Sequence, residues 1–206
     1  MQFGITGYKN FTKWSKPLPP LQGTLTGKNI VITGANSGIG LEAAKFAASK
    51  EGKVFLVCRN EKRGSEAVDL IQKETGNQNV HLILGEMGDK KSMQGVFEQL
   101  KEKVGSIDVF VHNAGCMIHK REFTEDKIEK NFAVNTYAVY YLSKKSLELF
   151  HQDSRVITVA SGGMLTEKLK TEDLYMEKGD FDGTKQYARN KRQQVALMEY
   201  FGEKYP

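Results

Sequence analysis

The sequence holds little cysteine, little proline, no long apolar run and only a small excess of one charge. Its two cysteines, Cys58 and Cys116, fall in different expected elements without paired spacing. That excludes a disulfide framework, and reduced thiols in a cytosol-like compartment are expected. The sequon Asn10-Phe11-Thr12 is then accidental. No apolar stretch approaches the roughly 20 residues of a membrane span. The 30 Lys and Arg are interspersed with 25 Asp and Glu, giving a net charge of +5, which excludes a nucleic-acid stripe but leaves room for a basic mouth facing a phosphate. His112 and His119 lack a third ligand at useful spacing, so no metal site is expected. The 206 residues, 39% hydrophobic, suit one α/β domain with a sizeable core.

Residues 1–23 read as an N-terminal arm ahead of a domain over 24–206. The arm interleaves Phe3, Ile5, Tyr8, Phe11 and Trp14 with Lys9, Lys13 and Lys16, and Pro17, Pro19 and Pro20 end it. Such a mixture can lie on a membrane surface as a peripheral contact, or dock on its own domain or a partner subunit.

Beyond the arm, strands alternate with helices, which calls for a parallel sheet covered on both faces. The strand Asn29–Ile32 runs into Thr33-Gly34-Ala35-Asn36-Ser37-Gly38-Ile39-Gly40, and a helical pattern follows from Leu41. Glycines at 34, 38 and 40 let the backbone approach a phosphate, while the helix start offers free N–H groups and a positive dipole end. A dinucleotide pyrophosphate is the natural ligand of Gly34, Asn36, Ser37, Gly38, Ile39 and Gly40. The second strand, Lys53–Val57, ends in Cys58-Arg59-Asn60. An NAD site usually places an acid there for the ribose hydroxyls; Arg59 instead suits a 2′-phosphate, so NADP(H) is preferred over NAD(H), with Asn60 as a second donor.

Further elements are expected as a helix over Glu61–Lys73, a strand over Val80–Leu84, a helix from Lys90, a strand over Ile107–Val111, one long helix from Thr124 to Phe150 and a strand over Arg155–Ala160. Between Ser161, at the end of that strand, and Tyr187 lie 25 residues, Gly162 to Gln186, long enough for a lid or binding surface, with a one-turn helix expected near Thr171–Tyr175. Tyr187 and Lys191, four apart, share a helix face. A phenol ordinarily ionises near pH 10, and an ammonium within reach favours the phenolate, giving a general acid–base group.

The TGxxxGxG spacing, with Asn113-Ala114-Gly115, Ser161 and Tyr187-Ala188-Arg189-Asn190-Lys191, resembles the short-chain dehydrogenase/reductase family from about Leu25 onward. The long loop with Gly179-Asp180-Phe181-Asp182-Gly183 is similar to its retinol-reductase-like branch. The resemblance implies a Rossmann-type doubly wound sheet and oxidoreduction between carbonyl and hydroxyl on a lipid-like or retinoid-like small molecule, in the cytoplasm or associated with a membrane. It implies that Tyr187 acts as acid or base, Lys191 grips the nicotinamide ribose and Ser161 bonds the substrate oxygen. Asn113, Ala114 and Gly115 would wall the cofactor channel, and Glu86 would stand where the family's strand-end Asp caps the adenine, with a longer side chain or a one-position shift. Asn135 would hold, through its carbonyl, a water linked to Lys191, a role favoured over the local helix bend that its apolar surroundings alone also allow. His112 replaces the family's second Asn, and Cys116 reads as packed rather than nucleophilic. Family members dimerise through the helices that here carry Asn135 and Tyr187. The family continues after this helix into two further strands, a Pro-Gly turn and a substrate-covering segment; without a sixth strand the fifth is expected to be an open sheet edge. A non-catalytic nucleotide-binding protein, or an inactive shortened reductase, is the alternative reading.

Overall fold

The computed structural model describes residues 23–205, so nearly all of the expected arm lies outside the described residues. Five strands, β1 (Asn29–Thr33), β2 (Lys53–Cys58), β3 (Val80–Leu84), β4 (Ile107–His112) and β5 (Phe150–Thr158), form one sheet in the order β3-β2-β1-β4-β5, and every pairing is parallel. The helices are α1 (Gly38–Ser49), α2 (Glu61–Thr75), α3 (Lys90–Lys103), α4 (130–145) and α5 (Gly183–Lys204).

Strand side chains alternate between two layers of core. Ile30, Ile32, Val54 and Leu56 pack beneath Ala44, Ala47 and Ala48 of α1 and Ala67 and Ile71 of α2. Val31, Phe55, Val57 and Phe110 face Met93, Val96, Phe97 and Leu100 of α3 and Ala138 and Leu142 of α4. The alanine row of α1 lets that helix lie close to the sheet and carry the turn before it against the strand ends.

Three expectations need correction. The long helix starts at Lys130, not Thr124, because Thr124 and Ile128 close a hairpin-like turn through Thr124 N to Ile128 O at 2.9 Å, joined by a bridge between Phe123 and Glu129. It ends at Lys145 and passes through a 3-10 turn, Ser146–Leu149, into β5, which begins at Phe150 and stops at Thr158 instead of spanning Arg155–Ala160. The polar run His151–Ser154, between the expected helix and the expected strand, is carried along the sheet edge, where Ser154 Oγ donates to the Ile107 carbonyl at 2.6 Å and the β4–β5 register shifts between Ile107 and Val109. No helix forms at Thr171–Tyr175; Asp173 instead accepts the amide of Glu177 at 2.8 Å, and the helical piece of this loop is a 3-10 turn, Gly162–Thr166.

β5 is the sheet edge, and Ile157 in it is 47% exposed. Among the described residues, no helix is long and apolar enough to cross a membrane.

Candidate active site

From β1 the chain adds β2 and β3 to one side, then crosses to lay β4 and β5 on the other. Loops diverge at such a switch point and leave a crevice at the carboxyl ends of β1 and β4. Gly34 sits there with φ of 65°, and a Cβ would stand 2.9 Å from Ala114 Cα, so both its backbone and the close approach to the end of β4 require glycine. At Gly40 a Cβ would meet the Asn113 side chain, and the Gly34 carbonyl at 2.6 Å. Thr33 laces the two strand ends together: its Oγ1 accepts the amides of Asn113 and Ala114, each at 3.0 Å, while Asn113 Nδ2 donates to the Thr33 and Gly34 carbonyls at 2.9 and 3.2 Å.

Gly38 differs from its neighbours, with φ of 55° and open space where its Cβ would be. Ser37 gives α1 no side-chain cap, whereas Asn60, Asp89, Glu129 and Asp182 each cap the helix that follows them. Asn36 is half-buried, while Ser37 and Ile39 are exposed around the uncapped helix start. A Cβ-free turn, an unclaimed set of N–H groups and no acid in the first turn of α1 fit a phosphate. Cys58 lies beneath the turn, its thiol pushed up to about 11 by burial against the opposing effect of the Ala35 and Asn36 amides.

Along the same edge, Arg59 follows β2 with its side chain 74% exposed, and its Nη1 lies 3.3 Å from Glu86 Oε1. This surface pair contributes little to stability, so a phosphate can compete for the guanidinium. Asn60 Oδ1 accepts the Arg63 amide at 2.9 Å as the cap of α2, which leaves only its amide nitrogen to donate elsewhere.

The other half of the crevice is built by α4 and α5. Asn131 and Asn135, one turn apart, bind the chain after β4 almost as a strand would. Asn135 Nδ2 donates to the Cys116 carbonyl at 2.8 Å and its Oδ1 accepts the Cys116 amide at 3.1 Å. Asn131 makes the same pair with Ile118 at 2.9 and 2.8 Å. Around Asn135 the helix widens into a π turn, Ala133–Tyr137, closed by the Ala138 amide on the Ala133 carbonyl. Such turns recur at functional sites.

On α5, one row holds Tyr187, Lys191 and Gln194. Lys191 is 3% exposed; its Nζ donates to the Val159 carbonyl at 2.8 Å and to Gln194 Oε1 at 3.2 Å, and lies 5.6 Å from the Tyr187 ring centre. Burial lowers this lysine to about 8. A Cβ on Gly115 would stand 3.0 Å from Asn135 Oδ1 and 3.5 Å from Lys191 Nζ, so Gly115, Asn135, Lys191 and Tyr187 meet at one place. Ser161, two residues beyond Val159, caps the 3-10 turn, its Oγ accepting the Gly163 amide at 3.2 Å. Arg192 Nε, on a further face of α5, donates to the Met164 and Glu167 carbonyls at 3.1 and 2.5 Å and holds that turn against the helix.

His112 and Cys116 are packed groups. The His112 ring shares a hydrogen bond of 2.8 Å with Ser143 Oγ, and burial pushes its pKa down to about 3, leaving it neutral. Burial pushes the Cys116 thiol up to about 11.

The sequence profile described as short chain dehydrogenase matches residues 28–170, covering the glycine turn, Asn113–Gly115, Asn135 and Ser161. The chain belongs to this family. Among short chain dehydrogenases it is 43% identical over 207 residues to human dehydrogenase/reductase SDR family member 12, an alignment covering 100% of this chain and 65% of that protein. It is 31% identical over 156 residues to mouse retinol dehydrogenase 12, covering 75% of this chain and 49% of that one. The crystal structure of an uncharacterised protein from Mycobacterium paratuberculosis has the same fold, with a TM-score of 0.75 at 23% identity, covering 88% of this chain and 65% of that one. The chain therefore spans about two thirds of the length of the first of these relatives and about half of the second.

Several residues that build the site carry no motif of their own. Asn131, Glu129 and Gln186 act through backbone groups or through each other, and only the four-residue interval between Asn131 and Asn135 marks them in the sequence.

Proposed function

We propose that this chain carries the cofactor and proton-transfer site of an NADP(H)-dependent oxidoreductase that interconverts a carbonyl and a hydroxyl. The observation that carries the proposal is the meeting of Asn135, Lys191 and Tyr187 around Gly115, beside the end of β5 that presents Ser161. The uncapped start of α1 and the open space at Gly38 would receive the pyrophosphate, with Arg59 for the 2′-phosphate. NADP(H), when bound, supplies the hydride chemistry.

The protein's own groups handle the proton and the charge. Tyr187 gives or takes the proton at its phenolic oxygen, and the Lys191 ammonium favours the charged form of that oxygen. With its ammonium anchored by the Val159 carbonyl, Lys191 is held in place for the ribose. Ser161 donates to the substrate oxygen as charge develops there. Asn135 fixes residue 116 on the opposite wall and widens α4, which supports a role in positioning. Met117, Leu165 and Leu169, exposed on the loops after β4 and β5, favour an apolar, lipid-like or retinoid-like substrate.

A second reading is a nucleotide-binding or regulatory protein without turnover. For the assembly we infer a homodimer through α4 and α5, supported by Tyr140, Tyr200, Phe201 and Tyr205 gathered at their far ends. A cytoplasmic site of action, with membrane contact through residues 1–23, completes the proposal.

The test is titration with NADPH and NADH, followed by fluorescence and thermal shift, with Arg59→Ala and Tyr187→Phe alongside. Tighter NADPH binding that weakens in Arg59→Ala supports the cofactor assignment, and turnover lost in Tyr187→Phe supports the enzyme. Binding without turnover selects the second reading. Folded protein that binds neither nucleotide overturns both.

A further inference from the structure

Besides the row carrying Tyr187 and Lys191, α5 turns a second row toward α4: Gln186, Asn190 and Gln193, all buried. At the amino end of this row the Gln186 amide, 1% exposed, makes two donations from Nε2, to Glu129 Oε2 at 3.0 Å and to the Leu174 carbonyl at 2.7 Å. Glu129 is fully buried and also accepts the Asn131 and Phe132 amides at 2.9 and 2.8 Å. A carboxylate removed from water is tolerated only where donors meet its oxygens, and Gln186 supplies the donor that comes from outside α4. Leu174 lies in the loop 171–182. Arg121 holds the far side of that loop by donating to the Met176 and Gly179 carbonyls and stacking 5.4 Å over Phe181. The start of α4, the start of α5 and the loop therefore join at a single amide, next in sequence to Tyr187.

We propose that Gln186 is a positioning residue that couples the order of the loop 171–182 to the placement of Tyr187, through Glu129 and the Leu174 carbonyl. This rests on the reading of Tyr187 as the acid–base group. Loosening the loop removes one acceptor of the Gln186 amide, frees it from Glu129 and lets the first turn of α5 move. A substrate that holds the loop in this arrangement keeps the joint closed, so it is favoured in kcat as well as in KM.

Hydrogen–deuterium exchange of the full chain tests the coupling. Gln186→Met should raise exchange about tenfold both in 171–182 and in 183–190, with the five strands unchanged. Arg121→Ala touches only the loop, yet it should raise exchange in 183–190 too; combined with Gln186→Met it should add nothing there. With NADPH and phenanthrenequinone as a carbonyl probe, both single variants should lose about tenfold in kcat, with KM for NADPH unchanged within about twofold. Exchange in 183–190 that ignores Arg121→Ala, or effects that add in the double variant, would overturn the coupling. If Gln186→Met does not fold, Arg121→Ala alone decides by the same exchange readout. A wild-type chain that binds NADPH but reduces nothing refutes the enzymatic reading, and the exchange data still decide whether the joint exists.

Discussion

Replacing Lys191 by methionine separates a lysine kept for chemistry from one kept for packing. Burial lowers its pKa from 10.5 to about 8. At neutral pH both folded and unfolded chains hold the proton, and the folded state carries a penalty of about 3 kcal/mol for a buried ammonium. As pH rises from about 8 to 10.5 the folded chain gives up the proton while the unfolded chain keeps it, so this penalty is relieved and the group's effect on stability improves. Lys191→Met has no such proton. It leaves the Val159 carbonyl and Gln194 Oε1 without their donor, an offset that does not vary with this ionisation. The assay is urea unfolding of both proteins at several pH values from 7 to 10.5, without nucleotide. The unfolding free energy of wild type minus variant should be flat below pH 8 and then rise by about 3 kcal/mol. Curves that stay parallel across this range would refute the reasoning, because they would mean that Lys191 is solvated in the folded chain.

The other expected outcomes concern the frame around it. His112 is held at about 3 by burial, so the unfolded chain takes up a proton below about 6.5 that the folded chain refuses; His112→Asn should flatten the loss of stability toward acid by about 3 kcal/mol, read by urea unfolding between pH 4 and 7. Gly34→Ala meets φ of 65° and the Ala114 backbone at 2.9 Å, and should destabilise by about 1–3 kcal/mol while abolishing NADPH binding, read by thermal shift with and without nucleotide. Asn131→Ala strands the Ile118 amide and carbonyl and should lower Tm by roughly 6–10 °C in a calorimetric scan.

Where local pattern and tertiary packing agree, the sequence is readable. The strand over residues 29–33, the glycine turn and the start of α1 follow from an apolar run, three glycines and a helical alanine pattern, each of which needs only its neighbours. The helix expected from Thr124 fails because its first residues are helix-compatible by pattern but are drawn into a turn against Phe123 and Glu129. The edge stretch His151–Ser154, which lies between the expected helix and the expected strand, fails for the opposite reason: its contact with the Ile107 carbonyl draws it into β5.

The site divides in the same way. Spacing alone placed Tyr187 and Lys191 on one helix face, and the order of motifs predicted that Asn113–Gly115 and Asn135 would join them. Sequence by itself therefore determined which groups the proposed chemistry draws on, because the proposed reacting groups and the glycines of the turn are properties of residue type at short range. Tertiary structure alone decided which groups hold them: Asn131 and Asn135 on the backbone of 116 and 118, Thr33 across two strand ends, and Gln186 between Glu129 and Leu174. Those bonds join positions far apart in the chain, mostly through backbone atoms that every residue carries, so no pattern of side chains announces them.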